Sequence, residues 1–236
     1  MSFINAEWRK LAIANYSIDP SILAKYVPVG TELDVWNNTC YVSLVGFMFV
    51  NTRVLGVSIP FHTNFEEVNL RFYVKRKENG AWRRGVVFIK ELVPRKAITL
   101  IANLLYKEHY QTVAMHHHWT HQNNELLVKY AWEMQGKNHS IQLITGTTPQ
   151  LIEDGSEEEF ITEHYWGYTK VNAARTIEYE VKHPKWDCYR VNEYQIEVDF
   201  EANYGVDFKF LNDLKPKSVF LAEGSNISVE GKKYIE

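Results

Sequence analysis

Three residues with useful chemistry alternate along one short stretch of the chain, "NFEEVNLRFYVK", residues 64–75. Glu67, Asn69 and Arg71 interleave with Val68, Leu70, Phe72 and Val74. In a β-strand, successive side chains point to opposite faces, so the acid, the amide and the guanidinium share one face. A guanidinium can hold a carboxylate, and a carboxyl group can exchange protons with a bound molecule. Asn79-Gly80 follows, the preferred pair for a two-residue type I′ turn, because both positions need positive φ. Counting outward from that turn pairs Tyr73 with Val86, Arg71 with Phe88 and Asn69 with Lys90. The expected mixed face is thus Glu67, Asn69, Arg71, Tyr73, Val86, Phe88 and Lys90. Glu67 and Lys90 are the candidates for catalysis, and Asn69, Arg71, Tyr73 and Phe88 are candidates for ligand contact. A competing assignment makes this face an exposed ladder of ion pairs with little energetic consequence.

Other chemistry is weaker. "VAMHHHWTHQ" gathers His116, His117, His118 and His121. On a strand His116 and His118 lie about 7 Å apart on one side, a spacing compatible with a metal pair. No third ligand stands nearby, so no metal is expected and His116 is kept as a ligand contact beside Tyr110. The chain has no phosphate-binding glycine loop, no G-x-S-x-G elbow and no HExxH, and no cofactor is expected. Lys75, Arg76, Lys77, Arg83 and Arg84 crowd the hairpin end, where a solvated tip is the simplest reading.

These side chains need a scaffold to hold them. The chain has 236 residues, 45% of them hydrophobic, enough for a sizeable core, and no linker or repeat divides it. Residues 1–236 are read as one domain. A net charge of −3 argues against nucleic acid as a partner. No apolar run approaches the roughly 20 residues a spanning helix needs, and the start lacks a signal-peptide core. A cytoplasmic protein is therefore expected. Its partner would be a small organic molecule, not nucleic acid or membrane, with a homo-oligomer also allowed. Cys40 and Cys188 are too few and too distant for a disulfide framework or a zinc site. Most segments read as strands. Candidates run over 32–36, 40–50, 65–77, 84–93, 111–119, 125–134, 140–147, 175–181, 186–201 and 218–222.

Three helices are expected between them. One starts at Asp19-Pro20. One starts at Pro94, with Ile98, Ile101, Leu104 and Leu105 on its apolar face. One starts at Ser156, with Glu159 completing a capping box. The fold class is mainly β with a few short helices (α+β), a largely antiparallel sheet that curls or closes.

Several segments together resemble a known family. "NYSIDPSILAKYVPVGTELDVWNNTCYVSLVGF", "FEEVNLRFYVK", "RGVVFIKELVPRKAI", "ANLLYKEHYQTVAM", "FITEHYWGYT" and "VKHPKWDCYRV" fall in the order of the YqjF-like bacterial proteins, an uncharacterised conserved family. That family is similar, more distantly, to the acetoacetate decarboxylase superfamily. The resemblance implies a curled sheet closing into a barrel-like cone around a buried pocket. It likens Tyr16, Asp19, Pro20, Leu23 and Pro28 to the decarboxylases' entry segment, and Glu67 to their pocket glutamate. Where their Schiff-base lysine should stand, this chain has Gln111 or Thr112, and Lys107 comes a few residues early. Decarboxylation through an imine needs an amine of lowered pKa. The resemblance therefore favours a small carboxylate or carbonyl ligand in a cavity. A lyase acting on a β-keto acid, with Lys90 as substitute amine, is the second option, and a structural or partner-binding protein the third.

Overall fold

The computed structural model describes residues 2–236. In chain order the first elements are β1 (Ile4–Ser17), α1 (Pro20–Leu23), β2 (Glu32–Leu33), β3 (Tyr41–Val54), β4 (Phe65–Glu78), β5 (Ala81–Val93) and α2 (Lys96–Leu105). There follow β6 (Tyr110–Thr112), β7 (Met115–Gln122), β8 (Glu125–Met134), β9 (Lys137–Gly146), β10 (Gln150–Leu151) and α3 (Glu157–Thr162). The chain ends with β11 (Trp166–Asn172), β12 (Arg175–Lys182), β13 (Asp187–Tyr189), β14 (Val191–Glu197), α4 (Phe200–Tyr204), a 3₁₀ stretch over Val206–Asp213, β15 (Ser218–Val229) and β16 (Lys233–Ile235).

The strands form two sheets. The larger carries β15, β1, β3, β4, β5, β11 and β12 side by side, and β12 pairs again with β15. The sheet therefore curls until its order returns to its start. It is mixed rather than purely antiparallel, because β5 pairs in parallel with both β6 and β11. The smaller sheet has the order β14-β9-β8-β7.

Two cores follow from this arrangement. Val68, Leu70, Phe72 and Val74 of β4 pack outward with Val42 and Leu44 of β3 against Val128, Tyr130, Ile141 and Leu143 of the small sheet. The inner face of the curl carries a second core that includes Phe47, Phe49, Phe65, Val86, Tyr106 and Tyr179. Gly46 lets the two sheets approach closely, since a Cβ there would stand 2.9 Å from the Tyr130 ring. Strand β4 is thus buried on both faces, and an exposed ion-pair ladder is not what it carries.

Local signals explain much of the remainder. Asn79 and Gly80 have φ of 51° and 83°, and Glu78 faces Ala81, as the type I′ turn requires. Asp19 caps α1 through Ser21 N, with Pro20 at the first helical position. Ser156 Oγ accepts from Glu159 N at 3.1 Å, while the Glu159 carboxylate takes Gly155 N instead of closing the box on Ser156.

Other expectations are corrected. Strand β1 is not among the expected strands, because its alternation breaks where the register shifts between Arg9 and Ala12 and Lys10 takes a φ of 54°. The expected strand over 186–201 divides into β13 in the large sheet and β14 in the small one. It ends in α4, which Asp199 caps through Ala202 N. Helix α2 turns Ile98, Ile101 and Ala102 inward and leaves Leu104 and Leu105 exposed. The basic hairpin residues are not a free tip. Arg76 and Arg83 hold the fully buried carboxylate of Glu178 at 3.2 and 2.8 Å, and Arg84 donates to Asp34 at 2.7 Å. Among the described residues no helix is long and apolar enough to cross a membrane.

Leu70 is fully buried between the sheets. Leu70→Ala should cost about 2–5 kcal/mol of stability through lost transfer energy and a residual cavity. Urea unfolding should show this as a lower midpoint at unchanged slope, and a loss under 1 kcal/mol would contradict the two-sided burial of β4.

Candidate functional site

The curl encloses a cavity of about 120 Å³. One water needs roughly 10–15 Å³, so the space suits a compact organic molecule and not a nucleotide. Its walls are mostly apolar, with Trp8, Phe47, Phe49 and Phe65 on one side and α2 across another. Polar groups converge among them, the arrangement expected of a ligand site.

The register of the β4–β5 hairpin decides which polar groups arrive. From the turn it runs regularly as far as Arg71 opposite Phe88. The next pair is Leu70 with Lys90, so Ile89 is an extra residue and the strand bulges there. Beyond the bulge Asn69 faces Glu91. The expected pairing of Asn69 with Lys90 is therefore wrong by one residue. Lys90 points to the other side, where its ammonium donates to the backbone carbonyl of Asn203. A carboxyl group occupies the place in the cavity where an amine was expected.

The structure brings Glu67, Asn69, Arg71, Phe88 and Tyr110 together around the cavity. Tyr73 shares their face but lies just beyond it. Its hydroxyl is 2.7 Å from Ser43 Oγ, and its ring packs on His164. His116 is exposed on β7, in the other sheet, and takes no part in the cavity. Its neighbour His117 stands 2.6 Å from Glu66. No group of three His, Cys, Asp or Glu side chains among the described residues is placed to hold a metal. Among the described residues no lysine lines the cavity. Lys107 is exposed.

Sequence reasoning missed Glu91, Glu108, Tyr106, Tyr179 and His164. All five line the cavity and come from β5, the α2–β6 connection, β12 and the α3–β11 connection. Glu91 had a visible signal, a carboxylate inside the apolar run "VVFIKELV", but the unbroken register hid it.

Hydrogen bonds fix the acids. Glu67 Oε1 accepts from Asn69 Nδ2 at 2.9 Å, and its Oε2 accepts from the Tyr110 hydroxyl at 3.0 Å. Glu108 Oε1 accepts from Thr169 Oγ1 at 2.5 Å and from the Tyr179 hydroxyl at 2.9 Å. Tyr179 can lie there only because Gly167 is its cross-strand partner, since a Cβ at that position would fall 2.1 Å from the tyrosine ring. Several buried polar atoms on the cavity wall have no protein partner among the described residues: Asn69 Oδ1, Arg71 Nε, Glu91 Oε2, Glu108 Oε2 and His164 Nδ1. Such atoms are costly unless something else satisfies them.

The electrostatics are unusual. Glu67 and Glu91 are each 2% exposed, and Arg71 and Glu108 each 7%. Burial pushes the Glu67 carboxyl up to about 7, against the opposing pull of its hydrogen bonds to Asn69 and Tyr110 and of the Arg71 charge. Burial raises Glu108 as well. Glu91 is raised well above its ordinary value, through burial and the nearby carboxyls of Glu108 and Glu67. Arg71 forms no salt bridge within 4.0 Å among the described residues, although its charge is felt by Glu67. His164 is pushed down to about 4 by burial and is neutral at pH 7. Its Nε2 is 3.3 Å from Asp34. Burial pulls the Asp34 carboxyl upward, but its hydrogen bonds with His164 and Arg84 outweigh that and hold it well below the usual range.

Residues 5–226 match the model of DUF2071, described as an uncharacterized conserved protein. The chain belongs to this family. A curated relative, the uncharacterized protein YqjF of Bacillus subtilis (strain 168), is 38% identical over 71 residues. That match spans 30% of this chain and only 29% of the relative.

Solved structures extend the likeness of this DUF2071 chain at the level of fold. The acetoacetate decarboxylase of Legionella pneumophila superposes with a TM-score of 0.68 at 10% identity, covering 99% of this chain and 87% of that one. An acetoacetate decarboxylase-like enzyme from Sphingomonas wittichii RW1 gives 0.67 at 11%, covering 100% and 94%. The enduracididine biosynthesis enzyme MppR, complexed with pyruvate, gives 0.68 at 10%, covering 100% and 91%. The DUF2071 chain thus has the acetoacetate-decarboxylase-like fold.

The carboxyls set a pH dependence of stability. At pH values below the ordinary 4.5 both folded and unfolded chains hold the Glu91 proton. As pH rises past 4.5 the unfolded chain releases it while the folded chain keeps it, so stability falls. Glu91→Gln should therefore melt higher than the parent at pH 8, by about 2–4 °C for each kcal/mol relieved, and the two should converge toward pH 4.5. Identical pH profiles would show that Glu91 is not held protonated. Gly167→Ala should displace Tyr179 from Glu108 and lower the melting temperature, and an unchanged one would contradict the close approach seen here.

Proposed function

We propose that this protein binds a small organic acid, bearing a carboxylate and a carbonyl or similar polar group, in the cavity of the curled sheet. The observation that carries this reading is Arg71. A guanidinium this deeply buried, with no carboxylate in contact, leaves its charge available to an anionic ligand. Arginine presents paired N–H donors that match a carboxylate. Asn69 Oδ1 and the Glu67–Tyr110 pair stand along the same wall for a second polar group. The apolar walls would hold the carbon skeleton and exclude water. That a fold neighbour is described in complex with pyruvate supports the same size and class of ligand.

A second reading adds chemistry. Glu67, raised toward neutrality and bonded to Tyr110, suits proton exchange with a carbon or oxygen next to a carbonyl. This version runs without an imine: among the described residues no lysine lines the cavity, and Lys90 is turned to Asn203. A lyase working through Lys90 as substitute amine is therefore not supported.

Titration calorimetry with small 2-oxo acids tests the binding. Affinity should fall about 30-fold or more in Arg71→Met, the usual result of truncating one partner of a buried charge pair. Equal affinity in parent and variant would sink the proposal. Borohydride treatment in the presence of the same acids should leave no lysine adduct by mass spectrometry. An adduct on Lys90 would overturn the account of the bulge, and one on Lys107 would contradict its place outside the cavity.

A further inference from the structure

The cavity holds more acid than an organic acid alone would need. Three carboxyl groups, those of Glu67, Glu91 and Glu108, line the same wall system as the single guanidinium of Arg71. Glu67 has both oxygens engaged, by Asn69 and Tyr110. Glu108 has one oxygen engaged and one without a partner, and Glu91 also has a buried oxygen without one. These unpartnered atoms belong to side chains more than nine-tenths buried. Carboxyl groups gathered in a dry cavity repel once ionised, and they are most naturally satisfied by a cation or by several N–H donors.

We infer that the ligand carries a cationic nitrogen group as well as its carboxylate, so that Arg71 takes the carboxylate while Glu91 and Glu108 take an ammonium, amidinium or guanidinium. This rests on the carboxylate-binding reading of the same cavity. The aromatic wall supports it, since Tyr106 and Tyr179 stand beside Glu108 with rings at 5.2 Å, and cations are attracted to ring faces. A ligand bearing hydroxyls in place of the cation would hydrogen-bond to protonated carboxyls and would leave them protonated.

The two possibilities differ in the sign of their pH dependence. The groups facing the carboxyls are Arg71, His164 and the three tyrosines Tyr106, Tyr110 and Tyr179. The tyrosines are all raised by burial and His164 is already neutral, while burial brings Glu67 and Glu108 each to about 7, so those two carboxyls are the groups that titrate between pH 6 and 8. A cationic ligand drives their ionisation and releases protons, so it binds tighter as pH rises through this range. A plain acid meets growing negative charge and binds more weakly.

The test compares ω-amino acids of three to five carbons with the matching unsubstituted and hydroxyl-terminated acids, by calorimetry in buffers of different ionisation enthalpy. The expected result is a preference of about tenfold or more for the best amino-terminated acid, with proton release and an affinity that rises with pH. That preference should vanish in Glu91→Gln/Glu108→Gln, while Arg71→Met weakens all three classes. Melting curves of each variant confirm that it is folded. If the unsubstituted or hydroxyl acids bind as tightly as the amino acids and still depend on Arg71, the cation inference is wrong and the carboxylate site stands. If none of the three classes binds while small 2-oxo acids do, the cation inference is wrong and the carboxylate site stands; if the 2-oxo acids fail as well, both are overturned.

Discussion

Strand β4 presses Leu70 and Phe72 into the core beneath the small sheet and so turns Asn69 and Arg71 into the curl. One face cannot be buried without the other, because side chains alternate and both neighbours of the strand are in place. The cost of placing Arg71 inside is therefore carried by the packing of Val68, Leu70, Phe72 and Val74 on the opposite face. That coupling explains how a stable core and a poorly satisfied polar cavity coexist a single residue apart. Natural proteins tolerate such local expense chiefly where a site needs it.

The bulge at Ile89 is the second determinant. One extra residue leaves the hairpin turn and Phe88 untouched and reverses everything beyond, so that Glu91 faces the cavity and Lys90 faces Asn203. With Glu108 counted on both sides, the charge of the cavity changes from two cations and two acids to one cation and three acids. This is also why the fold's likeness to acetoacetate decarboxylases says little about chemistry here. The scaffold is shared, while no lysine lines the cavity among the described residues.

The sequence was legible where physics is local. The Asn79-Gly80 turn, the alternation in β4, and the Asp19 and Ser156 caps are set by nearest neighbours and are found as expected. Glu67, Asn69, Arg71 and Phe88 could therefore be assigned to one face in advance, but no local signal says whether that face lines a cavity or meets solvent. Lys90 could not, because no glycine or other mark in "VVFIKELV" signals the bulge. Glu108 and Tyr179 were out of reach for another reason. They meet only when β12 closes against β15 and Gly167 admits the tyrosine ring, which are long-range events. His116 misled because a histidine cluster looks chemical, yet its strand lies at the edge of the second sheet.

The central claim is that Arg71 is an anion anchor inside an acid-rich cavity. A crystal structure of the protein soaked with a small 2-oxo acid tests it most directly. The account predicts a carboxylate paired with the Arg71 guanidinium at hydrogen-bond distance, about 2.7–2.9 Å, with the carbon skeleton against Phe88 and the inner aromatic residues. An Arg71 side chain found instead in a salt bridge with Glu67 or Glu91, with only water in the cavity, would contradict it.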